Sequence, residues 1–332
     1  MIIAPFLLLL LALYVLFHRS WRAILTQLTL LGPGWFALAL AVSACYYVLD
    51  ACGFRLLLRR RLLPDFTLRE ALALIAMGLF MNVSTLGAGI KPAQALYLKE
   101  RGADVGEGLG LLVLPYLFHK LTIVLWGLTA LGLARDFILS RFAQWVPAIY
   151  LGCGLSIAIC CFLAAIFTSA RFHALVFRLL TKLSARPRYQ ELVSQAERET
   201  AGLRRQVRSV IGDGGLCLRM LSLNVGKFAC WHTVPYLALY ALGQTSLPLS
   251  FGQGLAVAAL MQLLIGVIPV TGGMVSAEVV FVLLYGVILG PVAAGSAMLV
   301  FRLATYYLPV LISALYSLWV YRQERSAKKA AL

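Results

Sequence analysis

Two long apolar runs in this chain are each broken near the middle by glycine, proline and a charge. The first break reads Thr85-Leu86-Gly87-Ala88-Gly89-Ile90-Lys91-Pro92. The second reads Ile268-Pro269-Val270-Thr271-Gly272-Gly273, with Glu278 just beyond it. In lipid an unpaired backbone amide or carbonyl costs several kcal/mol, so a broken helix persists only inside protein or beside a wet cavity. A matched pair of such breaks, one in each half of a chain, points to a transport site near the bilayer midplane.

Composition supplies the membrane. The chain is 61% hydrophobic and 13% charged, with a mean hydropathy of +0.89. Soluble domains are about 45–50% apolar and about 25% charged. Apolar stretches fall at 1–17, 33–54, 68–86, 105–133, 146–168, 216–243, 250–268, 274–290 and 292–320. Several reach the ~20 residues that a spanning helix needs. Met1–Phe17 lacks a basic region before it and a small-x-small site after it, so it reads as a retained first helix.

The net charge of +16 sits at segment ends and in the loop from Arg171 to Arg208. That is the pattern of cytoplasmic loops on an anionic leaflet, not of a nucleic-acid surface. The loop and the tail from Arg322 to Lys329 are therefore placed in the cytoplasm, and the uncharged turn Gly243–Ser250 outside. Counting crossings from these points makes 250–268 and 274–290 a hairpin that enters and leaves on the outer side. Counting back makes 68–86 and 90–98 a hairpin on the cytoplasmic side. His18, Arg19 and Arg22 run against this scheme. The expected architecture is an all-α polytopic membrane protein in one integral domain, 1–332. It has about six spanning helices, two opposed re-entrant hairpins (68–98 and 250–290) and both termini in the cytoplasm. The loop 169–215 carries Phe172, Leu175, Val176, Leu179 and Leu183 at helical spacing, flanked by Arg171, Arg178 and Lys182. It reads either as an amphipathic helix docking on lipid or a partner, or as a solvated connector.

Charged side chains inside lipid are rare and usually functional. Lys91 opens a helix arm after the glycine-rich turn, with Gln94 and Tyr97 one and two turns on. Free amides at that start add positive potential, which suits phosphate; the alternative is a snorkelling lysine. Glu278 lies one turn into its arm and can pair Arg302 or hold a cationic headgroup. Arg302 can clamp phosphate through its planar fork or lock Glu278 in place. Tyr306 lies one turn beyond. His119 and Lys120 sit mid-run and are expected to face the interior. Asp50, Lys227 and His232 are weaker candidates, since an interface position would account for each. The seven cysteines mostly sit in apolar segments without a Cys-x-x-Cys pair, and the four histidines lack ligand spacing, so no metal or other cofactor is expected. No P-loop, nucleophile elbow or dinucleotide fingerprint is present.

Three stretches resemble one known family. Residues 82–98, from Asn82 through Gly87, Gly89, Lys91, Pro92 and Gln94 to Tyr97-Leu98, resemble the first motif of the lysylphosphatidylglycerol synthase transmembrane-region family. Residues 269–278, with Pro269, Gly272, Gly273 and Glu278, resemble its second motif, Pro-x-Pro-Gly-Gly-x-Gly-x-x-Glu. Arg302 with Tyr306-Tyr307 resembles its closing Arg-x-x-x-Tyr-Tyr. Lys91 stands where that family usually carries an amide or acid, Leu86 replaces the first-motif proline, and Thr271 and Val275 replace a proline and a glycine of the second. The family forms the membrane part of multiple peptide resistance factors, which aminoacylate phosphatidylglycerol and move the product outward. The resemblance implies the lipid-translocating portion alone, in a bacterial cytoplasmic membrane, without the soluble transferase domain. Lys91 and Arg302 would then hold phosphate, and Glu278 an amino headgroup. Thr271, Gly272 and Gly273 would add backbone groups. The rival readings are a phosphatidylglycerol lysyltransferase component and a scaffold for a separately encoded transferase. Other expected partners are the membrane itself and a second copy of the chain.

Overall fold

The computed structural model describes residues 21–85, 87, 89–183, 190–191, 193–194, 197, 204, 207–244, 247–265, 274–317 and 319. Among them there is no β-strand. The helices are α1 Trp21–Leu28, α2 Pro33–Arg61, α3 Leu68–Thr85, α4 Ile90–Lys99, α5 Val105–Leu133, α6 Arg135–Arg141 and α7 Val146–Thr168. They continue with α8 Ala170–Leu183, α9 Gly214–Ala241, α10 Phe251–Ile265, α11 Met274–Leu289 and α12 Pro291–Arg302. A π-helical turn, Leu303–Tyr307, carries α12 on to Ser317.

Among the described residues, five segments are long and apolar enough to cross a membrane: Pro33–Arg61, Leu68–Thr85, Gly106–Leu133, Ala143–Thr168 and Pro291–Ser317. Helix α9, at 28 residues, matches them in length. The expected helix 1–17 lies outside the described residues. Large apolar side chains on the outer faces, such as Leu151, Leu155 and Phe162 of α7, are exposed as lipid contact requires.

Helices α2 and α9 form the antiparallel spine. At one end the Gly32 N–H donates to Ala241 O at 2.7 Å. At the other, Asp213, which caps α9 by accepting from the Leu216 N–H, pairs with Arg60 at 2.8 Å and Arg61 at 3.4 Å. The Leu216 N–H first, then the two guanidinium groups, hold the Asp213 carboxyl below the ordinary aspartate range. The clamp is thus present at neutral pH and is lost only as pH falls through that lowered value.

Among the described residues, two large apolar clusters and a small one of Ala130, Ala256 and Ala259 form the core. One large cluster gathers the basic segment ends, with Phe66, Leu98, Ala103, Phe167, Val207 and Leu216. The other large one holds Ile24, Ile138, Phe142, Ile149, Leu242 and Leu284, with Leu247 and Leu289 against it. Helix α3 begins and α4 ends at the basic pole, whereas α10 begins and α11 ends at the opposite one. The two hairpins therefore enter from opposite poles, as the loop charges indicate.

The register of the first hairpin is fixed by side chains. Arg101 Nε meets Glu70 Oε1 at 2.9 Å, and Gln94 Nε2 donates to Leu74 O at 3.2 Å. Gly78 permits that approach, since a Cβ there would sit 2.7 Å from Gln94 Nε2.

Three differences from the sequence expectation stand out. Helix α2 does not stop at residue 54 but runs through the arginines to Arg61. Long basic side chains can extend toward the interface while the backbone stays helical. The stretch holding Arg22, expected as a connection, is the amphipathic α1, whose Ile24 is fully buried. The charged connection after Leu133 is likewise helical, as α6.

Helix α8 forms where the periodicity predicts one. It seats His173 and Phe177 on the protein and leaves Leu175 and Leu179 exposed, with Arg208 tying its start down through Thr168 O.

Helices α5 and α10 cross at Gly127. A Cβ there would run into Leu263, which is fully buried and cannot yield. Gly127→Val is expected to cost about 1–3 kcal/mol by overpacking, read as a lower thermal midpoint in detergent.

Candidate functional site

The first break is closed by its own residues. Gly87 adopts φ 90°, which favours glycine, and its N–H donates to Asn82 O at 2.9 Å. The Thr85 hydroxyl donates to Met81 O at 2.7 Å and accepts from the Gly89 N–H at 2.7 Å. Pro92 falls in the first turn of α4, where a missing N–H costs nothing. These bonds satisfy the Gly87 and Gly89 amides, which a turn inside a membrane requires.

Just beyond the turn, Lys91 Nζ donates to Gln94 Oε1 at 3.3 Å and lies 6.0 Å from the Phe54 ring centroid. It is within electrostatic range of Asp50. Asp50 Oδ1 in turn sits 2.7 Å from Lys227 Nζ of α9, whose side chain is 4% exposed. His119 of α5 packs on Phe228 at 4.8 Å and feels the charges of Lys227 and Lys91. Four helices thus bring Lys91, Asp50, Lys227 and His119 to one place. At about 1.5 Å per residue, Asp50 lies about 16 Å from the Arg61 end of α2, and Lys227 about 20 Å from the start of α9.

The second group forms at the other hairpin. Glu278 is fully buried, and its Oε1 accepts from Arg302 Nε at 2.6 Å and from Tyr307 OH at 3.4 Å. The Arg302 guanidinium lies 4.2 Å from the Tyr306 ring centroid. Glu278 and Arg302 each stand about 17 Å from the opposite pole at the helical rise, so both groups converge near mid-depth.

A π turn frees carbonyls from the normal ladder. Here Ser43 Oγ donates to Ala304 O at 2.8 Å, and Tyr47 OH to Thr305 O at 2.8 Å. Helix α2 thereby holds the turn that aims Tyr306 and Tyr307. Tyr47 feels both Arg302 and Asp50, and so stands between the two groups. Tyr47→Phe strands the Thr305 carbonyl and is expected to cost about 1–2 kcal/mol, visible as a lower thermal midpoint.

Not every expected residue joins this core. Lys120 turns away from His119 toward the Tyr116 ring at 5.6 Å and the Cys160 side of α7. Tyr97 lies under Arg101, with the guanidinium 3.5 Å from its ring centroid, in the clamp that closes the first hairpin at the basic pole. Pro269, Thr271, Gly272 and Gly273 lie outside the described residues. Among the described residues no cluster of three or more His, Cys, Asp or Glu could hold a metal ion. Asp50 and Lys227, weaker candidates from the sequence, belong to the core. Their signal in the sequence is one acid alone in its apolar run and one base near the middle of another.

The fold and these mid-depth charges define a polytopic helical membrane protein with two opposed hairpins. The chain matches the lysylphosphatidylglycerol synthase TM region over residues 1–313 and belongs to that family. Neither the curated proteins nor the solved structures gave a significant match.

Proposed function

We propose that the protein moves a phospholipid between leaflets of a bacterial cytoplasmic membrane, and that the lipid is aminoacylated phosphatidylglycerol or a close relative. The carrying observation is the charge balance at mid-depth. Among the described residues, Lys91, Lys227 and Arg302 are accompanied by two carboxylates, Asp50 and Glu278. Lys91 is the base in excess, and its close polar contact is the neutral Gln94. It holds the lipid phosphate, joined by Arg302 when that side chain leaves Glu278. Glu278 then takes the amino headgroup, and its Oε2 has no hydrogen-bond partner among the described residues. The Tyr306 hydroxyl beside it is also unpartnered there. Groups that are buried and unmatched are costly unless a ligand satisfies them. The two hairpins supply alternating access by rocking about this centre. The basic pole faces the cytoplasm, with both chain termini on that side.

The family's name favours a second reading, a component of the lysyltransferase itself, acting alone or as a scaffold for a separate transferase. Purified protein given phosphatidylglycerol and charged lysyl-tRNA separates the two. The expected result is no lysyl transfer, together with faster leaflet exchange of the lysyl lipid in protein-containing vesicles than in empty ones. Lysyl transfer without exchange would replace transport with the enzyme reading.

A further inference from the structure

A groove of about 820 Å³ runs along the outer flank of the α2–α9 spine, separate from the buried core. Its deeper end is apolar, with Leu49, Cys52 and Leu223. Its end toward the basic pole carries Arg55, Arg59 and Arg219, with Arg60 beside them. Arg60 is paired with Asp213. Arg55, Arg59 and Arg219 have no ion-pair partner among the described residues, and the buried Arg55 Nε has no hydrogen-bond partner there. Among the described residues no acidic one lines the groove.

The gradient along the groove matches one kind of molecule. An acyl chain fits against the leucines while a phosphate meets the planar guanidinium groups at headgroup level. We infer that this groove is a binding site for an anionic glycerophospholipid of the leaflet at the basic pole. Three unneutralised arginines with no carboxylate repel a headgroup that carries an extra ammonium. The site therefore selects the net-negative lipid over its aminoacylated, net-positive form. It is a lipid-facing site, distinct from the mid-depth core and independent of whether that core transports.

Native mass spectrometry with competing lipids tests this. Delipidated protein is offered equimolar phosphatidylglycerol, phosphatidylcholine and lysyl-phosphatidylglycerol. The expected result is retention of phosphatidylglycerol above the other two. A basic residue at an anionic surface is worth roughly fivefold in binding, so Arg55→Gln, Arg59→Gln and Arg219→Gln together should weaken it by about a hundredfold. The triple lysine variant should keep most of the affinity, and Arg171→Gln with Arg178→Gln on α8 should change little. Equal retention of the three lipids by the wild type would overturn the inference, and that comparison needs no variant to fold. So would unchanged binding in the glutamine variant, or an equal loss on altering α8.

Discussion

Replacing Glu278 with alanine is expected to be the most damaging single change in the membrane interior. The carboxylate is fully buried and 2.6 Å from Arg302, itself only 7% exposed. Removing one member of a buried ion pair typically costs about 3–5 kcal/mol, because the other charge loses its compensation. The pair is asymmetric. A guanidinium cannot shed its proton, whereas a carboxylate left alone can take one up and become neutral. Glu278→Ala should therefore destabilise more than Arg302→Ala. The double change should recover part of the loss. Thermal midpoints and monodisperse yield in detergent check the order. Equal effects of the two single variants would contradict the asymmetry, and small effects of both would show that the pair does not govern stability.

The second large effect is expected at Asp50. Asp50→Asn leaves the Lys227 ammonium buried with no carboxylate, and Lys91 nearby adds a second positive charge. A loss of about 3–5 kcal/mol follows by the same reasoning. Pairing it with Lys227→Met removes both charges, and buried pairs replaced in this way are often neutral or more stable. The Asp50→Asn, Lys227→Met protein is therefore expected to fold near wild-type stability yet fail to move lipid, since the core has lost its charge pattern. A folded double variant that transports normally would reduce the pair to a structural role.

These residues show where the sequence is legible and where it is not. The hairpins are readable because glycine and proline would break a continuous spanning helix, and because Lys and Arg bias fixes which side each run starts from. Glu278 and Arg302 are readable for a related reason, as lone charges inside such runs. Asp50 escapes because its apolar run stops at residue 54, which puts it near an interface. The helix in fact continues through Arg61 and carries Asp50 to mid-depth. Its partner is 177 positions away, so no local spacing could reveal the pair. The π turn after Arg302 is equally silent. It depends on Ser43 and Tyr47 reaching across from another helix. Lys120 shows the converse error, since two adjacent polar residues on one helix point about 100° apart and cannot both face the core.

The most direct measurement is a leaflet-resolved assay of lysyl-phosphatidylglycerol in proteoliposomes, comparing wild type with the Glu278→Ala, Arg302→Ala double variant at matched incorporation. The predicted result is exchange well above that of empty vesicles for the wild type, and exchange at the empty-vesicle level for the double variant. Equal exchange by the two proteins would contradict the central claim that the buried ionic core is where the lipid headgroup crosses.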